Sequence, residues 1–151
     1  MEVKSRTPRR TALPSSRLAA LAEEWLDERR TIGRGISSQT EAAYRRDLTN
    51  WATIIAENTG KPEPEPPPAD ADGAKQDPFL TALGRLDVED LSLENVKRAL
   101  ASMARRDYAP ASRGRMLAAL RGFCRWLVIE GHMVSDPTIH LGNPSIPNRM
   151  P

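Results

Sequence analysis

The 151-residue sequence has one cysteine and two histidines, which leaves little for metal or covalent chemistry. A single cysteine excludes an internal disulfide, and the sequence predicts that Cys124 is a small buried hydrophobic residue in a reducing compartment. His132 and His140 lie in a C-terminal loop with only Asp136 nearby, so we expect no metal site. No histidine is placed to activate Cys124, and no glycine-rich phosphate loop is present. The sequence therefore predicts neither a catalytic residue nor a cofactor.

Long apolar runs and a large net charge are also missing. No run approaches the ~20 apolar residues that span a bilayer, and the N terminus lacks the apolar core of a signal peptide. We therefore expect no membrane partner and a cytoplasmic location. The formal net charge is only +2, but the charges are segregated. Residues 57–94 are mainly acidic and residues 95–125 mainly basic, so the small sum conceals a basic region.

Apolar periodicity predicts four helices and no strand of useful length. The first begins near Ser15 or Ser16 and ends at Gly33 and Gly35. The second begins at Ser37 or Ser38, and Ser38 with Glu41 fits a capping box. It has an apolar stripe formed by Tyr44, Leu48, Trp51 and Ile55.

The last two predicted helices follow a short apolar stretch that re-enters the core near Phe79, with at most one turn of helix. Ser92 caps the third helix, which ends around Arg106–Tyr108 and buries Leu93, Val96, Leu100 and Met103. Ser112 caps the fourth helix, and Gly131 ends it in a left-handed conformation. Its apolar stripe consists of Met116, Leu120, Phe123 and Leu127.

The faces opposite the apolar stripes of the second and fourth helices point to a nucleic-acid partner. The fourth helix places small residues beside Arg121 and Arg125 there, namely Gly114, Ala118 and Gly122. The second helix carries Arg46 on a polar face, with Glu41 and Asp47 expected at its flanks. Arginines beside small residues allow close approach to phosphates, so duplex DNA is the expected partner. The alternatives are ordinary solvated arginines and a helical protein-interaction module whose basic face binds an acidic partner.

The composition also divides the chain into segments. Residues 1–14 are predicted to be a disordered basic tail, and residues 15–136 a helical DNA-binding domain. Within that domain, residues 60–78 form a flexible, acidic, proline-rich loop, because prolines exclude a helix or strand interior. Residues 137–151 are expected to be a linker.

The order of motifs resembles the N-terminal core-binding, SAM-like domain of tyrosine recombinases, the group of phage integrases and Xer proteins. In the second helix the resemblance rests on Ser38-Gln-Thr40, Tyr44 and Asp47-Leu48. Further along the chain it rests on Ser112-Arg113, Leu120-Arg121, Phe123, Glu130-Gly131, Asp136-Pro137 and the proline-rich end. The resemblance implies an all-α, four-helix orthogonal bundle that clamps the core-site duplex during integration or recombination.

The same resemblance implies which residues contact DNA and what lies outside the chain. By position, the contacts are Ser38, Gln39, Thr40, Arg46, Ser112, Arg113, Arg115, Arg121 and Arg125. The family's catalytic residues belong to a domain that would follow Pro151, so we expect no enzyme activity from this chain. Other recombinase protomers would be partners through a full-length parent. A bacterial or phage-encoded protein associated with the nucleoid is the expected setting.

Overall fold

The computed structural model describes residues 17–63 and 77–142. The predicted tail at 1–14, most of the proline-rich loop and the end of the linker lie outside the described residues. Over the described ranges the fold is all-α, with no strand, as predicted. The helices are α1 (Arg17–Thr31), α2 (Ser38–Thr59), α3 (Pro78–Leu83), α4 (Leu93–Arg105) and α5 (Pro110–Ile129), with a 3₁₀ turn at Val88–Asp90.

Helix α2 is the centre of the bundle and packs against α3, α4 and α5, while α1 packs against α3 and α5. Leu48, Trp51 and Ile55 of its predicted apolar stripe are buried, and Tyr44 is half-buried. The indole Nε1 of Trp51 donates to the Met116 carbonyl at 2.7 Å. That bond fixes α2 against α5. Trp25 of α1 packs between Tyr44 and Phe123, with ring centroids 5.2 and 5.3 Å apart, so aromatic rings join α1 to the same pair of helices.

The predicted return of the chain to the core near Phe79 is confirmed as α3. Asp77 caps this helix by accepting from the Phe79 amide at 3.0 Å, and Pro78 occupies its first turn. Phe79 is buried, with the Arg45 guanidinium 4.8 Å from its ring centroid. The short helix therefore packs beside the N-terminal half of α2.

Ser37 caps α2, and the predicted capping box of Ser38 with Glu41 is wrong. The Ser37 Oγ accepts from the Thr40 amide at 3.0 Å, while Ser38 is already helical. Glu41 has different partners, because its carboxylate binds Arg30 and Arg45. The cap thus lies one residue earlier than the box pattern indicated.

Helix α4 begins as predicted, but two of its predicted core residues are not fully buried: Leu93 is exposed and Leu100 is half-buried. Ser92 accepts from the Asn95 amide at 3.1 Å, which confirms the cap. Leu93 is 47% exposed, because it occupies the first helical position at the outer edge of the bundle. Ala99 and Ser102 are buried on the inner side of this helix, and Ser102 bonds Asn58 of α2 at 3.1 Å.

Helix α5 begins two residues before its predicted cap. Ala109 is the cap residue and makes no side-chain bond, and Pro110 supplies the first helical position. Ser112 therefore lies within the first turn and is not the cap. At the other end Gly131 has φ +82°, which confirms the predicted left-handed terminus, and the His132 amide bonds the Leu127 carbonyl at 2.8 Å.

Packing continues beyond residue 136, where the predicted domain ends. Thr138 is completely buried, and Asp136 Oδ1 accepts from both its amide and its hydroxyl, at 2.8 and 2.6 Å. The Arg121 guanidinium donates to the carbonyls of Thr138 and Leu141. The first residues of the predicted linker are therefore fastened to α5.

Candidate nucleic-acid interface

Helices α2 and α5 lie side by side and present an outward strip that is poor in free acids. We call this strip the α2–α5 face and define it by six outward residues: Gln39, Ala42, Arg46, Arg115, Ala118 and Arg125. All six are exposed. On each helix the positions are three, four or seven residues apart, which is the spacing of one helical side. The face therefore follows the strips opposite the two apolar stripes.

A groove between the first half of α2 and the first half of α5 runs along this face. Its lining combines polar residues of α2 with short side chains of α5: Gln39, Thr40, Ala43, Tyr44, Asp47, Arg115, Ala118 and Ala119. Three of these are alanines, whose short side chains leave the polar groups of the groove open to a large ligand. Gln39, Thr40 and Arg115, which the resemblance implied as DNA contacts, meet in this groove.

Asp47 and Arg115 form an ion pair across the groove. Arg115 Nε donates to Asp47 Oδ2 at 3.2 Å, and Nη2 donates to Oδ1 at 2.9 Å. The Asp47 side chain is only 2% exposed, whereas that of Arg115 is 51% exposed. The hydrogen bonds that Arg115 donates to Asp47 raise the pKa of Arg115, so the guanidinium stays charged. Asp47 was expected at a solvated flank of the face and lies instead in the interior, paired across 68 residues of sequence.

Arg46 and Arg125 are the arginines on this face without a partner among the described residues. Both side chains are exposed, and neither makes an ion pair or hydrogen bond in residues 17–63 and 77–142. Their full charge is therefore available to an anion. Ser38 and Gln39 are exposed at the start of α2, and the Thr40 hydroxyl accepts from Ser37 Oγ at 3.0 Å.

The remaining predicted arginines have contacts within the protein. The half-buried Arg121 holds the carbonyls of Thr138 and Leu141, as described above. Arg113 is also half-buried, and its Nε donates to the Tyr108 carbonyl at 3.3 Å. Ser112 is half-buried beside it in the first turn of α5. The structure does not bring these three residues onto the exposed strip with Arg115 and Arg125.

Two of the small residues predicted to admit an anion instead face the protein. Gly114 is buried, and a Cβ added to Gly122 would lie 3.3 Å from the Trp25 ring. Their small size allows α5 to pack closely against its neighbours. Ala118 is exposed and Gly122 is half-buried beside Arg125, so the prediction is wrong for Gly114.

Sequence reasoning missed a second cleft, which Arg125 of the α2–α5 face also lines. It is lined by the end of α1, the turn into α2 and the second half of α5, and contains Arg29, Arg34 and Arg125 beside Glu28. The turn depends on Gly33 and Gly35, whose φ values are +67° and +71°. The two glycines were recognised as a helix end, but nothing in the sequence indicated that the turn would bring Arg34 toward Arg125.

Carboxylates near the start of α2 are neutralised by arginines. Arg45 binds Glu23 at 2.8 Å and Glu41 at 2.9 Å, and Glu41 also binds Arg30 at 3.0 Å. The hydrogen bonds that Arg45 donates to Glu23 and Glu41 raise the pKa of Arg45. Together with the Asp47–Arg115 pair, these contacts remove the negative charges that would otherwise repel a polyanion from this end of the bundle.

The other candidate chemistries find no site in the part of the chain that is described. Within residues 17–63 and 77–142, no three histidine, cysteine, aspartate or glutamate side chains are grouped to hold a metal ion. Cys124 is completely buried, and burial, assisted by the charge of Asp136, raises the pKa of its thiol. None of the described helices has the length and apolar character needed to cross a membrane.

Comparison with known proteins finds a family match and relatives that are tyrosine recombinases. Residues 77–131 match the family described as phage integrase, N-terminal SAM-like domain. The chain is 32% identical to tyrosine recombinase XerC of Neisseria gonorrhoeae over 120 residues, which are 80% of this chain and 32% of that protein. It is 31% identical to tyrosine recombinase XerC of Neisseria meningitidis serogroup B over 134 residues, 89% of this chain and 36% of that protein.

A more distant relative shows the same pattern. Tyrosine recombinase XerC of Bifidobacterium longum is 28% identical over 118 residues, 78% of this chain and 26% of the relative. No solved structure matches the chain at a significant level. The chain spans about a third of the length of the first two relatives. Through residues 77–131, the chain belongs to the family of phage integrase N-terminal SAM-like domains, which confirms the resemblance in its motifs.

Proposed function

We propose that this domain binds duplex DNA as the N-terminal domain of a tyrosine recombinase, with the α2–α5 face against the DNA. The observation that carries the proposal is the difference between the acidic and the basic side chains on this face. Its buried acid is paired with Arg115, while Arg46 and Arg125 are exposed and have no partner among the described residues. Free cations on a strip with neutralised acids fit the phosphate backbone, whose charge dominates the affinity of proteins for DNA.

The proposed contacts follow from the exposure of each residue. Arg46 and Arg125 neutralise phosphates, and Ser38, Gln39 and Thr40 reach the duplex from the start of α2, where peptide N–H groups favour anions. Arg121, Arg113 and Ser112 play a supporting role within the protein. The proposed binding unit comprises residues 15–136 together with the packed segment up to 142. Strand breakage and rejoining, and assembly with other recombinase protomers, belong to a longer parent protein.

A charge-matched comparison of double variants tests the proposed face. We expect Arg46→Ala with Arg125→Ala to weaken binding to a labelled random-sequence duplex by about tenfold or more, measured by fluorescence anisotropy. The slope of log affinity against log salt is expected to shrink by about 1 for each arginine removed. Thermal unfolding should not change, because both side chains are exposed and unpaired among the described residues.

The matched control removes two positive charges from the exposed side of α4. Lys97→Ala with Arg105→Ala lowers the net charge equally, so it reports the effect of total charge alone. We expect it to retain most of the affinity. Equal losses in the two double variants would contradict the proposed face, and binding that does not depend on salt would contradict DNA binding through phosphates.

Exposed isoleucines favour a second candidate function, the docking of an acidic protein segment. Ile32 and Ile129 are 66% and 71% exposed, and both line the cleft that contains Arg29 and Arg34. Trp126 also lines it, and its buried Nε1 has no acceptor among the described residues. An Ile32→Ser variant that leaves DNA affinity and its salt slope intact would separate this cleft from the DNA-binding face.

A further inference from the structure

The two side chains of the Asp47–Arg115 pair differ strongly in solvent exposure. An ion pair that only joined α2 to α5 would not require this difference. The carboxylate is almost completely buried, while half of the arginine side chain is open to solvent. A buried carboxylate is costly unless it is paired and hydrogen-bonded, and Arg115 is its only side-chain donor among the described residues. Asp47 therefore holds one side of an exposed guanidinium in a fixed orientation.

The hydrogen bonds identify which edge of the guanidinium stays free. Asp47 occupies Nε and one proton of Nη2, so the outer proton of Nη2 and both protons of Nη1 have no acceptor in residues 17–63 and 77–142. The outer edge of a guanidinium carries two parallel N–H groups, one on each Nη, which together match a pair of acceptor atoms. Arg115 lines the groove on the α2–α5 face, together with three alanines.

We infer that Asp47 is a positioning residue, which holds Arg115 so that its outer edge donates two hydrogen bonds to an acceptor pair on duplex DNA. The acceptors are either two oxygens of one phosphate or the O6 and N7 atoms of a guanine, which present the same chemistry to the arginine. The inference rests on the proposed function and assigns to Asp47 a role that its burial alone would not reveal.

The direction in which one substitution changes the affinity for DNA tests this role. Asp47→Asn removes a negative charge from a DNA-facing surface, so electrostatics alone predicts tighter binding. If Asp47 positions Arg115, the same variant binds more weakly, by roughly five- to tenfold, the lower part of the range for one bidentate arginine contact. The control Glu28→Gln removes an acid from the neighbouring cleft and should bind as tightly as the wild type or more tightly. Tighter or equal binding by Asp47→Asn would overturn the inference.

A second variant tests whether Asp47 affects DNA binding through Arg115 or through a change in folding. Arg115→Lys keeps the charge and a partner for Asp47 but lacks the planar edge, and we expect it to weaken binding about as much as Asp47→Asn. Adding Asp47→Asn to Arg115→Lys should cause no further loss, because no edge remains to be oriented. Full affinity in Arg115→Lys, or an equal further loss in the combined variant, would show that Asp47 does not act through Arg115. Thermal melts define the temperature range in which all variants are folded.

Two homopolymer duplexes identify the acceptor. Equal losses for Asp47→Asn on dA·dT and dG·dC duplexes assign the contact to a phosphate, and a loss confined to dG·dC assigns it to guanine. A wild-type domain that binds no duplex at low salt would overturn the proposed function together with this inference. Normal wild-type binding with a tighter Asp47→Asn variant would overturn the inference alone.

Discussion

Arginines that look alike in the sequence have three different environments in this domain. Arg115 is fixed by a buried carboxylate, Arg121 holds the segment after α5, and Arg46 and Arg125 are free among the described residues. The partners of Arg115 and Arg121 lie 68 and 17–20 residues away along the chain. Sequence spacing placed these arginines on helices, but it carried no information about partners so distant. The sorting of the arginines therefore required the tertiary structure.

For a single residue, the structure predicts that Arg121→Ala changes the stability of the protein more than its affinity for DNA. The lost bonds to the Thr138 and Leu141 carbonyls should lower the free energy of unfolding by about 1 kcal/mol and speed amide exchange in residues 138–142. Binding to duplex DNA should remain within about twofold of the wild type, because a surface change away from the interface alters affinity little. A large loss of affinity for DNA without faster amide exchange would mean that Arg121 contacts DNA.

The helices themselves were largely predictable, because each long helix has an apolar stripe that repeats over several turns. The stripes of α2 and α5 pack into the core as expected, although Tyr44 is only half-buried, and the brief return to the core near Phe79 is a short helix. Helix starts were less predictable, since adjacent serines or a later serine fit the capping pattern equally well. Gly114 was misassigned for a related reason: small residues permit close approach to a neighbouring helix as readily as to an anion.

The start of α2 provides the prediction at the scale of the element. Ser37→Ala should lower the free energy of unfolding by about 1 kcal/mol, because the Thr40 amide loses its acceptor. Ser38→Ala is the matched control, since Ser38 is exposed, already helical and makes no capping bond; it should change stability by less than about 0.5 kcal/mol. Chemical denaturation of the two variants measures the difference. A larger loss in the Ser38 variant would mean that the capping box forms in solution.

For the whole molecule, the net charge of +2 was a poor guide to a nucleic-acid partner. Ion pairs neutralise acids around the start of α2, and Arg46 of α2 and Arg125 of α5 are exposed without a partner among the described residues. The sequence indicated both helices and the partner, while the groove, the buried Asp47 and the second cleft depend on how α1, α2 and α5 pack. The proposed function therefore depends on the packing of these helices, because it requires that DNA lie along the α2–α5 face.

Amide NMR shifts during titration of the wild-type domain with duplex DNA test that claim most directly. We expect the largest changes in residues 38–46 and 111–125, with Gln39, Arg46, Ala118 and Arg125 among them, and small changes along the exposed side of α4. Raising the salt concentration should reverse the changes, because phosphate contacts release counterions. Shifts concentrated on α4, or shifts on α2 and α5 that persist at high salt, would contradict the account.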